Sequence, residues 1–125
     1  NEIIIMASIV EKEAYADESR RIIAGILWKR IDAGMPLQVD APFYYTTGKA
    51  GGFTLDDLKV DSPYNTYMNK GLPIGPISNP SVATIIDTVT PIKTDYWFYL
   101  TGNDGVMRYA STFEGHIKNR NLYLK

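Results

Sequence analysis

Cysteine is absent from the 125 residues and histidine occurs once. The first absence excludes disulfides, zinc–cysteine sites and a thiol nucleophile, and it leaves the compartment open. The second excludes metal sites built on several histidines and leaves His116 as a lone polar contact or a general base. Excess charge of one sign is missing too: 13 basic residues stand against 14 acidic ones. No basic cluster is longer than SRR or WKR, so nucleic acid is not an expected partner. Hydrophobic runs are short. The longest, over residues 3–10, is far below the roughly 18 residues of a membrane span, and no signal-peptide pattern precedes it. Neither a G-x-S-x-G elbow nor a phosphate-cradling glycine pattern nor an internal repeat occurs. Serine hydrolysis and phosphate-loop chemistry are left without support.

What is present fits one compact globular domain over residues 1–125, with 45% apolar residues and nine tyrosines. A chain that starts at Asn1 and enters a hydrophobic run at once reads as a domain excised from something longer. Residues 2–14 are helix-compatible with Asn1 as N-cap, a buried strand over 3–10 being the competing reading. Helical spacing of Ile22, Ile23, Ile26, Leu27, Arg30 and Ile31 predicts a second helix over 17–33, capped by Asp17 and ended by Gly34. These two form a helical pair.

Short extended pieces and turns follow in MPLQVDAPFYYTTGKAGG, then a short helix around TLDDLK with Thr54 as cap. Alternation in LQVD puts Gln38 and Asp40 on one face of a short strand. The tract DSPYNTYMNKGLPIGPISNPS, rich in Pro, Gly and Asn, reads as a long functional loop lining a groove. Its end is the start of a helix with Asn79 at the cap, Pro80 at the first position, and an apolar stripe through Val82, Ile85, Ile86 and Val89. YWFYL and VMRYASTF read as a hairpin joined by TGNDG, and EGHIKNRNLYLK as a final helix. Helices first and strands later predict an α+β domain, with the helical pair packed against a small, mainly antiparallel sheet.

Two carboxylates close the first helix. Glu11 and Glu13 lie about 200° apart around a helix, so at most one of them belongs to a site. Taking Glu11 as the inward one places it beside Ala7, Ser8, Ala14 and Tyr15. An apolar wall there would raise its pKa toward the range of a general acid. A solvated residue paired with Arg20, Arg21 or Arg30 is the competing reading. In SPYNTY, Tyr64 and Tyr67 can stack on sugar or peptide groups while Asn65 and Thr66 offer polar groups, unless the tract is a plain turn.

Taken in order, ASIVEKEA, RIDAGMPLQVD, SPYNTY, GLPIGPISNP and TFEGHIKN resemble the YceG-like family of endolytic murein transglycosylases, over nearly the whole chain. The resemblance implies cleavage of the β-1,4 bond between N-acetylmuramic acid and N-acetylglucosamine in nascent peptidoglycan, leaving 1,6-anhydro-muramyl ends without water. It implies the catalytic glutamate at the first Glu of the ASIVEKEA motif, Glu11, and substrate contacts at Gln38, Asp40, Asn65, Thr66 and His116, with Tyr64, Tyr67 and Asn79 next. No cofactor is implied. One carboxyl serving both proton transfers fits the lack of a second catalytic carboxylate. The family's full-length design adds a membrane helix and a LysM-like subdomain, placing the protein on the extracytoplasmic face of the bacterial membrane beside peptidoglycan synthases. A glycan-binding or scaffolding module without turnover is the alternative. This chain reads VDAP where many relatives have Thr-Asp-Pro or Ser-Asp-Pro.

Overall fold

The computed structural model describes residues 1–48 and 54–124. Residues 49–53, inside the stretch expected to be irregular, and Lys125 lie outside the described residues. Helix α1 (Glu2–Glu13) starts as expected: the Asn1 side chain accepts from the Ile3 and Ile4 amides at 3.1 and 3.5 Å. The run is a helix and not a strand; Met6, Ala7, Ser8, Ile9 and Val10 are enclosed on every side, while Ile3 is exposed. Helix α2 (Asp17–Asp32) packs on it. Asp17 is its first residue and makes no side-chain cap, Ala16 holding that position. It stops where Gly34 turns to φ 73° and Met35 donates back to the Arg30 carbonyl at 2.8 Å. Met6, Ile9, Val10, Ile23, Ala24, Leu27, Leu37, Val39 and Ile77 make the core.

Two local expectations fail for physical reasons. LQVD is no strand: Gln38 takes φ 55°, and Thr66 clamps the segment. Its hydroxyl accepts from the Val39 amide at 3.0 Å and donates to the Val39 carbonyl at 2.9 Å. The following β-prone residues form helix α3 (Ala41–Thr47), started by Pro42 and ended by Gly48 at φ 69°. Here terminal signals outweigh side-chain propensity. The TLDDLK segment is a single 3-10 turn over Asp57–Lys59, opened by reciprocal bonds between Thr54 and Asp57.

Helix α4 (Val82–Val89) is capped by Ser81, whose hydroxyl accepts from the Thr84 amide at 3.2 Å; Asn79 lies outside the helix and does not cap it. Its orientation reverses the apolar-stripe expectation. Val82, Ile86 and Val89 are exposed while Thr84, Asp87 and Thr88 are buried. The inward face is satisfied internally: Asp87 pairs with Arg20 at 2.8 Å, the Thr88 hydroxyl donates to the Thr84 carbonyl, and Trp28 donates to the Thr88 carbonyl.

Strands β1 (Phe98–Thr101) and β2 (Met107–Ala110) pair antiparallel, Tyr99 opposite Tyr109, and helix α5 (Phe113–Tyr123), capped by Thr112, folds back on both. Five helices and one two-stranded antiparallel sheet among the described residues make the α+β class expected from the order of elements. Buried Arg30 ties the hairpin to α2. Its guanidinium donates to the Trp97 carbonyl at 3.0 and 2.6 Å and also to the Leu37 carbonyl.

Candidate active site

Where α1 ends, two cavities of about 600 and 520 Å³ adjoin, and both are lined by Glu13 and Asp40. Gln38, Tyr67, Tyr99 and His116 are among the polar residues that line the larger; Lys12, Tyr44 and Tyr45 line the smaller. Glu13 extends the stripe Met6, Ile9, Val10, each fully buried, by one more helical step. Its Oε1 accepts a hydrogen bond from the Tyr99 hydroxyl at 2.6 Å. Burial pushes the Glu13 carboxyl above the usual range, the Tyr99 hydrogen bond opposes the rise, Asp40 adds to it and Arg30 opposes it. The C-terminal end of a helix is also the negative end of its dipole, which disfavours a carboxylate further.

Asp40, one residue ahead of α3, accepts from the Tyr67 hydroxyl through Oδ1. That phenol and the Tyr99 phenol are both raised, burial first and the neighbouring carboxylate next, so each remains a donor. The His116 ring stacks on Phe98 at 5.1 Å with its Nδ1 buried and without a hydrogen-bond partner. Burial, then the Arg120 and Arg30 cations, lower its pKa and keep it neutral.

Glu11 stands elsewhere. Like Glu13 it is half-buried, but its Oε1 accepts from the Ser81 amide at 2.7 Å, at the N-terminus of α4. The Ser81 amide, then the Thr84 and Ser81 hydroxyls and the Arg20 charge, together outweigh desolvation and hold this carboxyl below the usual range. That is opposite to the expected rise, because the carboxylate meets hydrogen-bond donors where an apolar wall was anticipated. The other sequence-derived positions divide. Gln38, Asp40, Tyr67 and His116 line the larger cavity. Asn65 is occupied in its own turn: Nδ2 donates to the Leu58 and Val60 carbonyls, and Oδ1 accepts from the Tyr67 and Met68 amides. Thr66 is buried in its clamp on Val39. Tyr64 packs against the core, its ring 5.3 Å from that of Tyr45. Asn79 is exposed and lines neither cavity. Tyr99, 86 residues from Glu13, was not singled out, and Arg30 was named only for its helical spacing and as an ion-pair partner for Glu11; the buried helical stripe alone could have pointed to Glu13. Among the described residues no cluster of metal-ligating side chains occurs, and no helix is long and apolar enough to cross a membrane.

The YceG-like family model matches residues 1–122. The chain belongs to the YceG-like family. An endolytic murein transglycosylase of Bacillus subtilis is 37% identical over 99% of the chain, and one of Streptococcus pneumoniae is 36% identical over 95% of it. The chain spans 35% of the length of the first and 23% of the second. The crystal structure of a yceG-like protein from Listeria monocytogenes superposes with a TM-score of 0.85 at 39% identity, covering 93% of this chain and 38% of that one. Family membership therefore agrees with the sequence resemblance over the same span.

Proposed function

We propose that this domain is the catalytic part of an endolytic murein transglycosylase, and that Glu13 is its acid and base in place of Glu11. The observation that carries the reading is the Glu13 carboxyl, raised by burial and held by the Tyr99 hydroxyl, which lines both cavities beside Asp40. A glycan strand lying across that junction would have sugars on both sides of the acid, as cleavage within a strand requires. Protonated Glu13 gives its proton to the glycosidic oxygen between N-acetylmuramic acid and N-acetylglucosamine as the bond to the anomeric carbon breaks. The resulting carboxylate then removes the proton of the muramyl C6 hydroxyl while that oxygen attacks the same carbon. Product is a 1,6-anhydro end, and Glu13 is protonated again. The nucleophile belongs to the substrate, so no second carboxylate has to activate water.

Asp40 stands beside positive charge developing on the sugar, with the Tyr67 hydroxyl fixing its direction. Gln38 and His116 meet the polar edges of the sugar rings. Asn65, Thr66 and Tyr64 hold the backbone under the groove, and Asn79 belongs to the approach to α4. The substrate class and the endolytic mode rest on the names of the relatives. An anchored full-length protein at the outer face of the cytoplasmic membrane, next to peptidoglycan synthases, is the setting the family resemblance implies.

Full-length protein incubated with uncrosslinked peptidoglycan strands tests the reading, with mass spectrometry detecting 1,6-anhydro-muramyl ends. Glu13→Gln is expected to lower their formation about 10²- to 10⁴-fold while Glu11→Gln retains it. Loss of product in Glu11→Gln alone, with the fold intact, would return the acid to Glu11. Reducing ends would mean hydrolysis by water.

A further inference from the structure

We infer that Tyr99 is a positioning residue for the acid: its hydroxyl occupies Oε1 of Glu13, so that the transferable proton resides on Oε2. The inference rests on Glu13 being the acid. Tyr99 and Glu13 are 86 residues apart in sequence and joined by a 2.6 Å hydrogen bond. A carboxylate has two equivalent oxygens, so the proton of its acid form can sit on either one, and it is useful only on the one that meets the glycosidic bond. A donor fixed on one oxygen removes the choice. Tyr99 suits this task because its phenol is raised well above the ordinary value, by burial and then by Glu13, and so donates throughout the working pH range. It is also held rigidly. β1 pairs with β2 at Tyr99–Tyr109, and the carbonyl two residues earlier, that of Trp97, accepts from Arg30.

The groups around Glu13 come from every packed element: Asp40 at the start of α3, Arg30 from α2, Tyr67 from the loop and Tyr99 from β1. His116 and Arg120 of α5 line the same larger cavity. Of these, the Tyr99 hydrogen bond is the largest influence opposing the rise that burial imposes on Glu13. Removing it lets the Glu13 carboxyl rise further, while the remaining proton is free to sit on either oxygen.

Tyr99→Phe in the full-length protein keeps the ring and deletes the hydroxyl. Its kcat is expected to fall about tenfold or more, with KM within about twofold because the ring still lines the groove. The alkaline limb of kcat/KM moves to higher pH, and so does the titration of the Glu13 carboxyl followed by carbon-13 NMR in substrate-free protein. A fall in kcat with no movement of that titration would overturn the assignment, since general damage to the hairpin would do the same. Unchanged kcat and titration would overturn it equally. If Tyr99→Phe fails to fold, 3-fluorotyrosine at position 99 retains the hydroxyl with a more acidic proton, and the titration should move to lower pH; no movement counts against the proposal. An active Glu13→Gln enzyme would instead remove the parent reading, while the NMR titration of Tyr99→Phe would still report whether the hydroxyl holds the carboxyl.

Discussion

Glu11 and Glu13 share one helix, one motif and one side-chain chemistry, yet their surroundings drive them in opposite directions. Glu11 accepts a backbone amide at the start of α4 and is held low; Glu13 is carried inward and is raised. Folding therefore favours the ionised form of Glu11, a stabilisation present above the unfolded value and lost as pH falls through the lower folded one. For Glu13 folding favours the neutral form, so stability is greatest below the unfolded value and declines as pH rises through the higher folded one. Glu13→Gln is expected to raise the melting temperature at neutral and alkaline pH by a few degrees. Glu11→Gln should lower it at neutral pH and lose its effect in acid. Differential scanning calorimetry across pH reads both. The choice between the two carboxyls as the proposed acid was only half legible in the sequence. Spacing excluded a matched pair, but choosing the inward member requires knowing that the Met6, Ile9, Val10 stripe faces the core and that donors wait opposite Glu11.

Among the elements, α4 separates pattern from environment most sharply. Its apolar residues recur at helical spacing, yet the buried face is the one bearing Thr84, Asp87 and Thr88. The stripe rule assumes that the interior is apolar, whereas here α2 offers Arg20 and Trp28 as partners for a carboxylate and a carbonyl. Asp87→Ala strands the Arg20 guanidinium and is expected to cost about 3 kcal/mol. Ile86→Ser, on the apolar side that a pattern would call core, should remain within about 0.5 kcal/mol. Urea unfolding of the two variants compares them directly. The helical pair, the hairpin and the final helix were legible from local signals: Asn1 caps α1, Gly34 ends α2, and two β-prone runs flank TGNDG. α3 was not, because two local signals, Pro42 and Gly48, decide it against the propensity of the residues between them.

At the scale of the whole molecule, the fold brings the end of α1 against the last strand pair and the start of α3. The ordered motifs point to the family from sequence because each is a local string. The groove itself is assembled from residues as far apart as Glu13 and His116, 103 positions from one another, which no local string records. Cavities on both sides of Glu13 lead to a prediction about products. Early in digestion of long uncrosslinked strands, size-exclusion chromatography should show mean length falling quickly while terminal disaccharides stay scarce. An enzyme working inward from strand ends would release them from the outset.

Glu13 is the last residue of α1, and Ala14 beyond it is already extended, at φ −153° and ψ 154°. That placement divides the chain by its tolerance of insertions and deletions. One residue gained or lost between the core stripe and Glu13 swings the carboxyl by about 100° and takes it out of the groove with the fold otherwise kept. The same change among residues 14–16, where no helix carries the rotation forward, is absorbed by the turn. Length variation among relatives should therefore accumulate after this helix and be purged within it.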